Sequence, residues 1–384
     1  MKFKKLVFGS VLISSLLLCS CNSYGSVNDN QINVINDTRD IRYKGDRIDS
    51  IKEYDNVKGF CWIDDNNIII GKMNTKPLNH VQGLLETEKN KDKINLYNNL
   101  LRCYKYYAYS LYILNVDTNE ERLISDADSC QYYPYISNDK KLIAYVNATY
   151  KNNEGEKLYI SDLNGNVKLK IDSKYQFVSW LDSNNILIKN YENEKMKYYK
   201  IDLNGNKKLL DDFEITDDYV TAKDNKIYYK EFNRFEDNVG NYFDLKVYNI
   251  NTNSTKTLKK DIVSYRLLNN KDIILERRSK IFNCNEFVLT KIDAKNEYKL
   301  TDGIFSYSLD YANNNIFYTL RKSNGESGFY MMNLDDQKEI CISNKIFGSE
   351  IIISPSSDKF MVDTTKSDEK SFAYDVLNIY KLNK

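Results

Sequence analysis

The sequence predicts an all-β fold, a seven-bladed β-propeller of four-stranded antiparallel blades, and two phased markers predict it. An apolar and aromatic run ending in a polar turn carries an aliphatic residue at Val116, Leu163, Leu203, Ile250, Ile292, Leu334 and Leu382. The mean interval is about 44 residues, the length over which a four-stranded blade repeats. A second marker, a polar turn followed by a short apolar strand, recurs in phase, as in Asn66-Asn67-Ile68-Ile69-Ile70 and Asn184-Asn185-Ile186-Leu187-Ile188.

Residues 1–21 form an address ahead of the fold. Lys2, Lys4 and Lys5 make a positive start, Leu6 to Leu18 an uncharged apolar run, and Leu18-Cys19-Ser20-Cys21 ends it. Thirteen residues are too few to span a bilayer as a helix. The ending resembles the lipobox of bacterial lipoproteins, with a small residue, Ser20, before the lipidated cysteine, so Cys21 is the expected lipidation site. That resemblance implies a palmitate-type acylated N-terminus, an extracytoplasmic location and a membrane anchor through lipid. Residues 22–41, rich in Asn, Asp and Ser, read as a flexible tether.

The propeller domain is expected over residues 42–384. Its units fall at about 57–126, 129–172, 175–212, 213–261, 262–302, 303–344 and 345–384. Asn164-Gly165 and Asn204-Gly205 each separate two alternating runs and read as type I′ hairpin turns, with positive φ at both central residues. The last unit stops after its third strand, so residues 46–54 are expected to return and supply the fourth. The first unit carries an insertion at about 75–106, in which Ile94, Tyr97, Leu100, Leu101 and Tyr104 recur at helical spacing and predict one short helix over 92–104. Packing of this helix onto the rim is weighed against a partner-binding role.

Gln131-Tyr132-Tyr133-Pro134-Tyr135-Ile136-Ser137-Asn138-Asp139-Lys140, with Leu158-Tyr159-Ile160-Ser161-Asp162-Leu163-Asn164-Gly165 after it, resembles the repeat of TolB-like β-propellers. The same repeat builds the N-terminal propeller of dipeptidyl peptidase IV-like proteins. Against the family core of Pro, any residue, Trp, Ser, Pro, Asp, Gly, Lys, this chain has Tyr135 for Trp, Asn138 for Pro and Lys140 for Gly. The resemblance implies a propeller in an envelope compartment serving as a binding platform.

Composition narrows the chemistry. With 55 Lys and Arg against 54 Asp and Glu there is no basic excess, and nucleic acid is not an expected partner. The chain has one histidine, His80, which excludes multi-histidine metal sites and leaves a Ser-His-Asp arrangement resting on one loop residue. The Asp-Leu-Asn-Gly-Asn segments at 162–166 and 202–206 lack the twelfth-position Glu of a calcium loop and read as hairpins. Acidic pairs such as Asp211-Asp212, Asp217-Asp218 and Asp335-Asp336 read as solvated turns. The cysteines outside the leader, Cys61, Cys103, Cys130, Cys284 and Cys341, are odd in number, without a C-x-x-C pair, and read as buried thiols. No catalytic residue, cofactor or metal is expected.

Among 32 Tyr and 16 Phe, the candidates for a binding face are Tyr107, Tyr109, Tyr132, Tyr133 and Tyr135, near inner strands or the insertion. The expected function is a lipid-anchored extracytoplasmic scaffold, monomeric and noncatalytic, that binds a protein, peptide or glycan. The alternative is a propeller hydrolase or lyase acting on polysaccharide, for which a cluster of Asp and Glu with raised pKa values at one channel mouth would argue.

Overall fold

A computed structural model of the chain describes residues 47–125, 128–149, 155–210, 220–237, 239–269, 271–278, 285–293, 297–322, 327–336, 338–344, 350–367 and 373–383. The expected leader, tether and Cys21 lie outside these residues, as do Cys284 and the pairs Asp211-Asp212 and Asp217-Asp218.

The strands form antiparallel meanders whose middle strands are buried on both faces. Ile68, Ile69 and Ile70 are fully buried, and so are Leu187 and Ile188. Such runs of β-branched and aliphatic residues suit strands covered on both sides. The apolar clusters lie between successive meanders. Ala144 and Ile160 pack with Trp180 and Ile186, Leu187 and Tyr198 with Ile227 and Tyr248, and Leu245 and Ile262 with Tyr265 and Leu275. Val57, Trp62 and Ile68 meet Met361, Leu377 and Ile379, so the first meander packs on the last and the ring closes.

The expected seven blades are corrected to five sheets. Three have four strands each: β10 (Gln176–Trp180) to β13 (Lys207–Leu209), β14 (Val220–Lys223) to β17 (Ser254–Ile262), and β25 (Ile351–Ile353), β26 (Lys359–Ser367), β27 (Ala373–Leu382) with β1 (Ile48–Asp55). The fourth has seven strands, β18 (Ser264–Leu267) to β24 (Glu339–Ser343), and the fifth eight, β2 (Val57–Trp62) to β9 (Val167–Ile171). Repeats outnumber sheets because hydrogen bonding does not stop at every repeat boundary. β21 (Glu297–Ala312) runs unbroken as the last strand of one meander and the first of the next. One pair, Tyr109 with Gln131, joins β4 (Tyr109–Asn115) to β6 (Cys130–Ile136). A sequence period counts turns and apolar runs, and neither reports whether a strand edge stays free.

The N-terminal clasp is observed: β1 pairs antiparallel with β27 from Ile48–Leu382 to Asp55–Val376. At the axis, β2 touches β6 and β25, β10 touches β14, and β21 touches β25. Side chains then bridge these strands. Trp62 Nε1 donates to Ile352 O at 3.0 Å and Trp180 Nε1 to Tyr135 O at 3.0 Å.

Two local expectations change. The Asn-Gly hairpins are type I turns followed by a glycine in the left-handed region. Gly165 and Gly205 have φ of +87° and +86°, while Asn164 and Asn204 are not among the positive-φ residues. Each glycine N donates to the O of Asp162 or Asp202 at 3.0 Å, the three-residue hairpin with a glycine bulge. The insertion holds two helices, the only two among the described residues: α1 (Thr75–Thr87) and α2 (Lys91–Tyr107). Pro77 and Gly83 hide α1 from a periodicity reading. A proline in the first turn breaks no helical hydrogen bond, and Asn74 caps the helix by accepting from Lys76 N at 3.1 Å.

Candidate functional site at the bulged inner strands

Four of the axial strands are interrupted. The pairing register shifts at Gly59/Cys61 in β2, Tyr132/Tyr135 in β6, Phe177/Ser179 in β10 and Phe305/Leu309 in β21. A bulge leaves a residue unpaired and re-aims its side chain. In β6, Tyr133 and Pro134 stand opposite the single residue Tyr145, and Tyr133 has φ of +51°, a conformation costly for a bulky side chain. The residue is 45% exposed, with its ring edge-on to Tyr132.

The support beneath this bulge is polar and fully engaged. Gln131 has no exposed surface. Its Nε2 donates to Ser129 O and to Asn147 Oδ1, both at 3.0 Å, and its Oε1 accepts from Ser125 Oγ at 2.7 Å. Asn74 Nδ2 donates to Ser110 Oγ at 3.1 Å and to Ser129 O at 3.3 Å, tying the start of α1 to the same joint. Helix α2 also touches β6. Satisfied buried networks hold one arrangement because each alternative leaves a polar group unpaired. Nothing in local sequence pattern marks Gln131, Asn147 or Asn74, whose partners lie up to 55 positions away.

The five predicted tyrosines separate. Tyr132, Tyr133 and Tyr135 share β6. Tyr132 packs edge-on to Tyr133 at 5.2 Å, and burial, with Glu156 beside it, pushes its hydroxyl far above the ordinary range. Tyr135, 44% exposed, stacks on Phe177 of β10 at 4.7 Å, and Phe177 leads on to Trp180. Tyr109 is a framework residue rather than a surface one. It is buried, packs edge-on to Phe60, the bulged residue of β2, at 6.1 Å, and donates its hydroxyl to Asp375 Oδ2. Gly71 is required beside it, since a Cβ there would lie 2.8 Å from the Phe60 ring and 3.0 Å from Tyr109. The side chain of Tyr107 lies outside the described residues.

A carboxylate group accompanies the aromatics. Asp363 in β26 accepts from Gly59 N at 2.9 Å. Burial drives its pKa up to about 7; Gly59 and Lys58 oppose this, while Asp375 and Glu350 add to it. Asp310 is raised too, chiefly by burial and with Glu350 again contributing, although its oxygens accept from Ile353 N and Tyr311 N, each at 2.7 Å. These residues span positions 310–375 and lie on the last two meanders, Asp363 and Asp375 on the paired strands β26 and β27.

The remaining candidates are accounted for. His80 is exposed on α1. Burial pushes the thiols of Cys61 and Cys130 up to about 12, which keeps them protonated and inert. Cys341 is exposed, contrary to the expectation of burial. Among the described residues no group of three His, Cys, Asp or Glu could hold a metal ion. The two tryptophans, each at the end of an axial strand before an Asp-x-x-Asn turn, were a legible signal of the inter-strand contacts.

No protein-family model matches the chain, and no curated protein does. Solved structures do. The chain is similar to the uncharacterized protein lmo1340 from Listeria monocytogenes EGD-e, with a TM-score of 0.56 at 13% identity over 80% of this chain and 88% of that one. It is similar to an oligogalacturonate lyase in complex with manganese, with a TM-score of 0.53 at 9% identity over 86% and 90%. It is also similar to the β-propeller domain of the Trilobed protease from Pyrococcus furiosus, with a TM-score of 0.51 at 15% identity over 81% and 91%. These likenesses bear out the β-propeller and go no further than the fold.

Proposed function

We propose that the protein is a noncatalytic binding scaffold that receives a protein, peptide or glycan partner on the aromatic surface at the β6 bulge. In the same reading it is held at the outer side of a bacterial membrane by lipid on Cys21. The observation that carries it is Tyr133, an exposed ring on a strained backbone over a satisfied buried network. Backbone strain kept at a partly exposed aromatic is a mark of a surface arranged for a ligand, and Tyr133 and Tyr135 offer the rigid, amphipathic contact area that recognition uses. The test is capture from envelope extract by the mature chain and by a Tyr133→Gly/Tyr135→Ala variant. A stoichiometric partner retained by the first and lost by the second is expected; equal retention overturns the reading.

A second reading, a propeller lyase or hydrolase acting on polysaccharide, is favoured by one observation, the raised carboxyl of Asp363 beside Asp375 and Glu350. Carboxyls tuned toward neutrality suit proton transfer. Turnover of a polysaccharide by the isolated chain, abolished in Asp363→Asn, would establish this reading in place of the first.

A further inference from the structure

The chain contains one hairpin sequence twice, forty positions apart: Asp162-Leu163-Asn164-Gly165-Asn166-Val167-Lys168 and Asp202-Leu203-Asn204-Gly205-Asn206-Lys207-Lys208. The turns are built alike. Asp162 Oδ1 accepts from Asn164 N at 2.9 Å and Asn166 N at 3.0 Å, and Asp202 Oδ1 accepts from Asn204 N and Asn206 N, both at 2.9 Å. The second aspartate is also engaged by Asn206 Nδ2 at 2.8 Å. These bonds hold the carboxyl of Asp202 below its ordinary pKa, the Asn206 side chain first among them.

The lysines of the two copies differ. In the first, Lys168 Nζ closes onto Asp162 Oδ2 at 3.3 Å, and Arg122 of β5 (Glu121–Leu123) covers the turn by donating to Leu163 O at 2.7 Å and Asn164 Oδ1 at 3.1 Å. In the second, Lys208 has no ion pair among the described residues. It lines an open cleft of about 360 Å³ with Asn185, Lys200, Asp202, Asn206, Ile250 and Asn251. Ile250 and Asn251 come from the neighbouring sheet, so the walls belong to two sheets, and buried Ile250 makes an apolar floor. Lys200 Nζ bonds only a neutral amide, Asn225 Oδ1 at 3.1 Å. The cleft thus presents two ammonium groups against one carboxylate whose oxygens already serve the turn.

We propose that this cleft is a binding site for a small oxyanion-bearing ligand, a carboxylated or phosphorylated sugar-sized molecule, with Lys200 and Lys208 on the anion. Two ammonium groups supply charge-assisted donors, while the side-chain amide of Asn251 and the Oδ1 of Asn185, whose Nδ2 donates to Asp182, offer polar contacts to hydroxyls. The volume falls within the range of small-molecule sites. The proposal is independent of the β6 surface and stands or falls apart from it.

The test is calorimetric titration of the full chain with glucuronate, glucose 6-phosphate and, as the neutral control, glucose. One of the anions is expected to bind with a Kd below about 10 mM, more weakly as salt rises, and glucose not to bind. Lys208→Gln should weaken the anion about ten-fold, Lys208→Arg should retain it, and Lys168→Gln should leave it unchanged. Whichever anion binds tighter assigns the carboxylate or the phosphate source. No binding by either anion, equal binding of glucose, or equal loss in Lys168→Gln and Lys208→Gln would overturn the proposal. Both lysines are exposed, so unchanged melting curves serve as the folding control.

Discussion

The seam where the chain ends meet and the joint under the β6 bulge solve one problem, attaching a meander to its neighbour, by different additions to an apolar cluster. At the seam β1 lies along β27 in a ladder from Ile48 to Asp55, reinforced by Trp62 on Ile352 and by the cluster of Val57, Ile68, Leu377 and Ile379. At the joint one strand pair, Tyr109 with Gln131, is all the ladder there is. Gln131, Asn147, Ser125, Ser129 and Asn74 add a polar connection beside the apolar cluster in which Ile69, Leu111 and Ile113 meet Ile143 and Tyr145. Backbone pairing is indifferent to most side chains, whereas a side-chain network depends on each member. The seam should therefore tolerate substitution and fail on deletion; the joint should fail on a single substitution.

The largest effect separating the two is removal of the clasp. Deleting residues 42–55 strips β27 of its partner and opens an edge along Ala373–Leu382, which invites pairing with another chain. We expect a melting temperature lower by more than about 10 °C, with concentration-dependent association. An unchanged melt would end the distinction. By contrast Glu53→Ala, which breaks a partly exposed ion pair with Lys366, should cost less than about 1 kcal/mol.

Next in size is Gln131→Leu. It conserves volume but leaves Asn147 Oδ1, Ser129 O and Ser125 Oγ without this partner in a buried place, and it should cost about 3 kcal/mol in chemical denaturation. A loss below 1 kcal/mol would show that the joint, like the seam, rests on backbone and apolar contact.

Asp363 gives a smaller, pH-dependent effect at the seam. Its folded pKa of about 7 lies above the ordinary aspartate value of 3.8, so folding favours the protonated carboxyl. That contribution is fully present below about pH 4 and is lost as pH rises through about 7. Asp363→Asn, which keeps an acceptor for Gly59 N, should match the parent at pH 4 and be more stable by about 2 kcal/mol at pH 8, discounting the shift for partial exposure. A parallel pair of pH profiles would contradict the raised carboxyl.

The smallest stability change is expected at the site itself. Tyr133→Gly relieves the positive φ, worth about 1 kcal/mol, and gives up the edge contact with Tyr132, worth about as much. The melt should move by no more than a degree or two. A sharp fall would make Tyr133 a structural residue rather than a surface held ready for a partner.

Much of the fold could be read locally. Alternation and turn residues located the meanders, and the missing fourth strand of the last unit pointed to the clasp that β1 supplies. The number of sheets could not be read, because whether β21 ends or continues depends on which neighbours share its edge. The form of the Asn-Gly turns was missed for a smaller reason. An Asn-Gly pair fits two hairpin geometries, and the bonds from Asp162 and Asp202 select between them. Helix α1 was hidden by Pro77, harmless where it stands.

Composition and place singled out the tyrosines of β6 as candidates without distinguishing among them. Sequence order put Tyr109 beside Tyr132 and Tyr133 as an equal; packing against Phe60 and Asp375 makes it part of the frame. Nothing along the chain announces the strain at Tyr133, the gathering of Asp310, Glu350, Asp363 and Asp375, or the cleft that leaves Lys208 open where Lys168 is closed.

By itself, then, the amino-acid order determined that this chain builds a ring of β-meanders, since strand alternation and turn chemistry act over a few residues and repeat. Only the tertiary structure decided which edges fuse, which backbone is strained and which charges meet. Those outcomes depend on contacts between residues far apart in the chain; closure of the ring, for one, brings Gly59 and Asp363, 304 positions apart, within a hydrogen bond of each other.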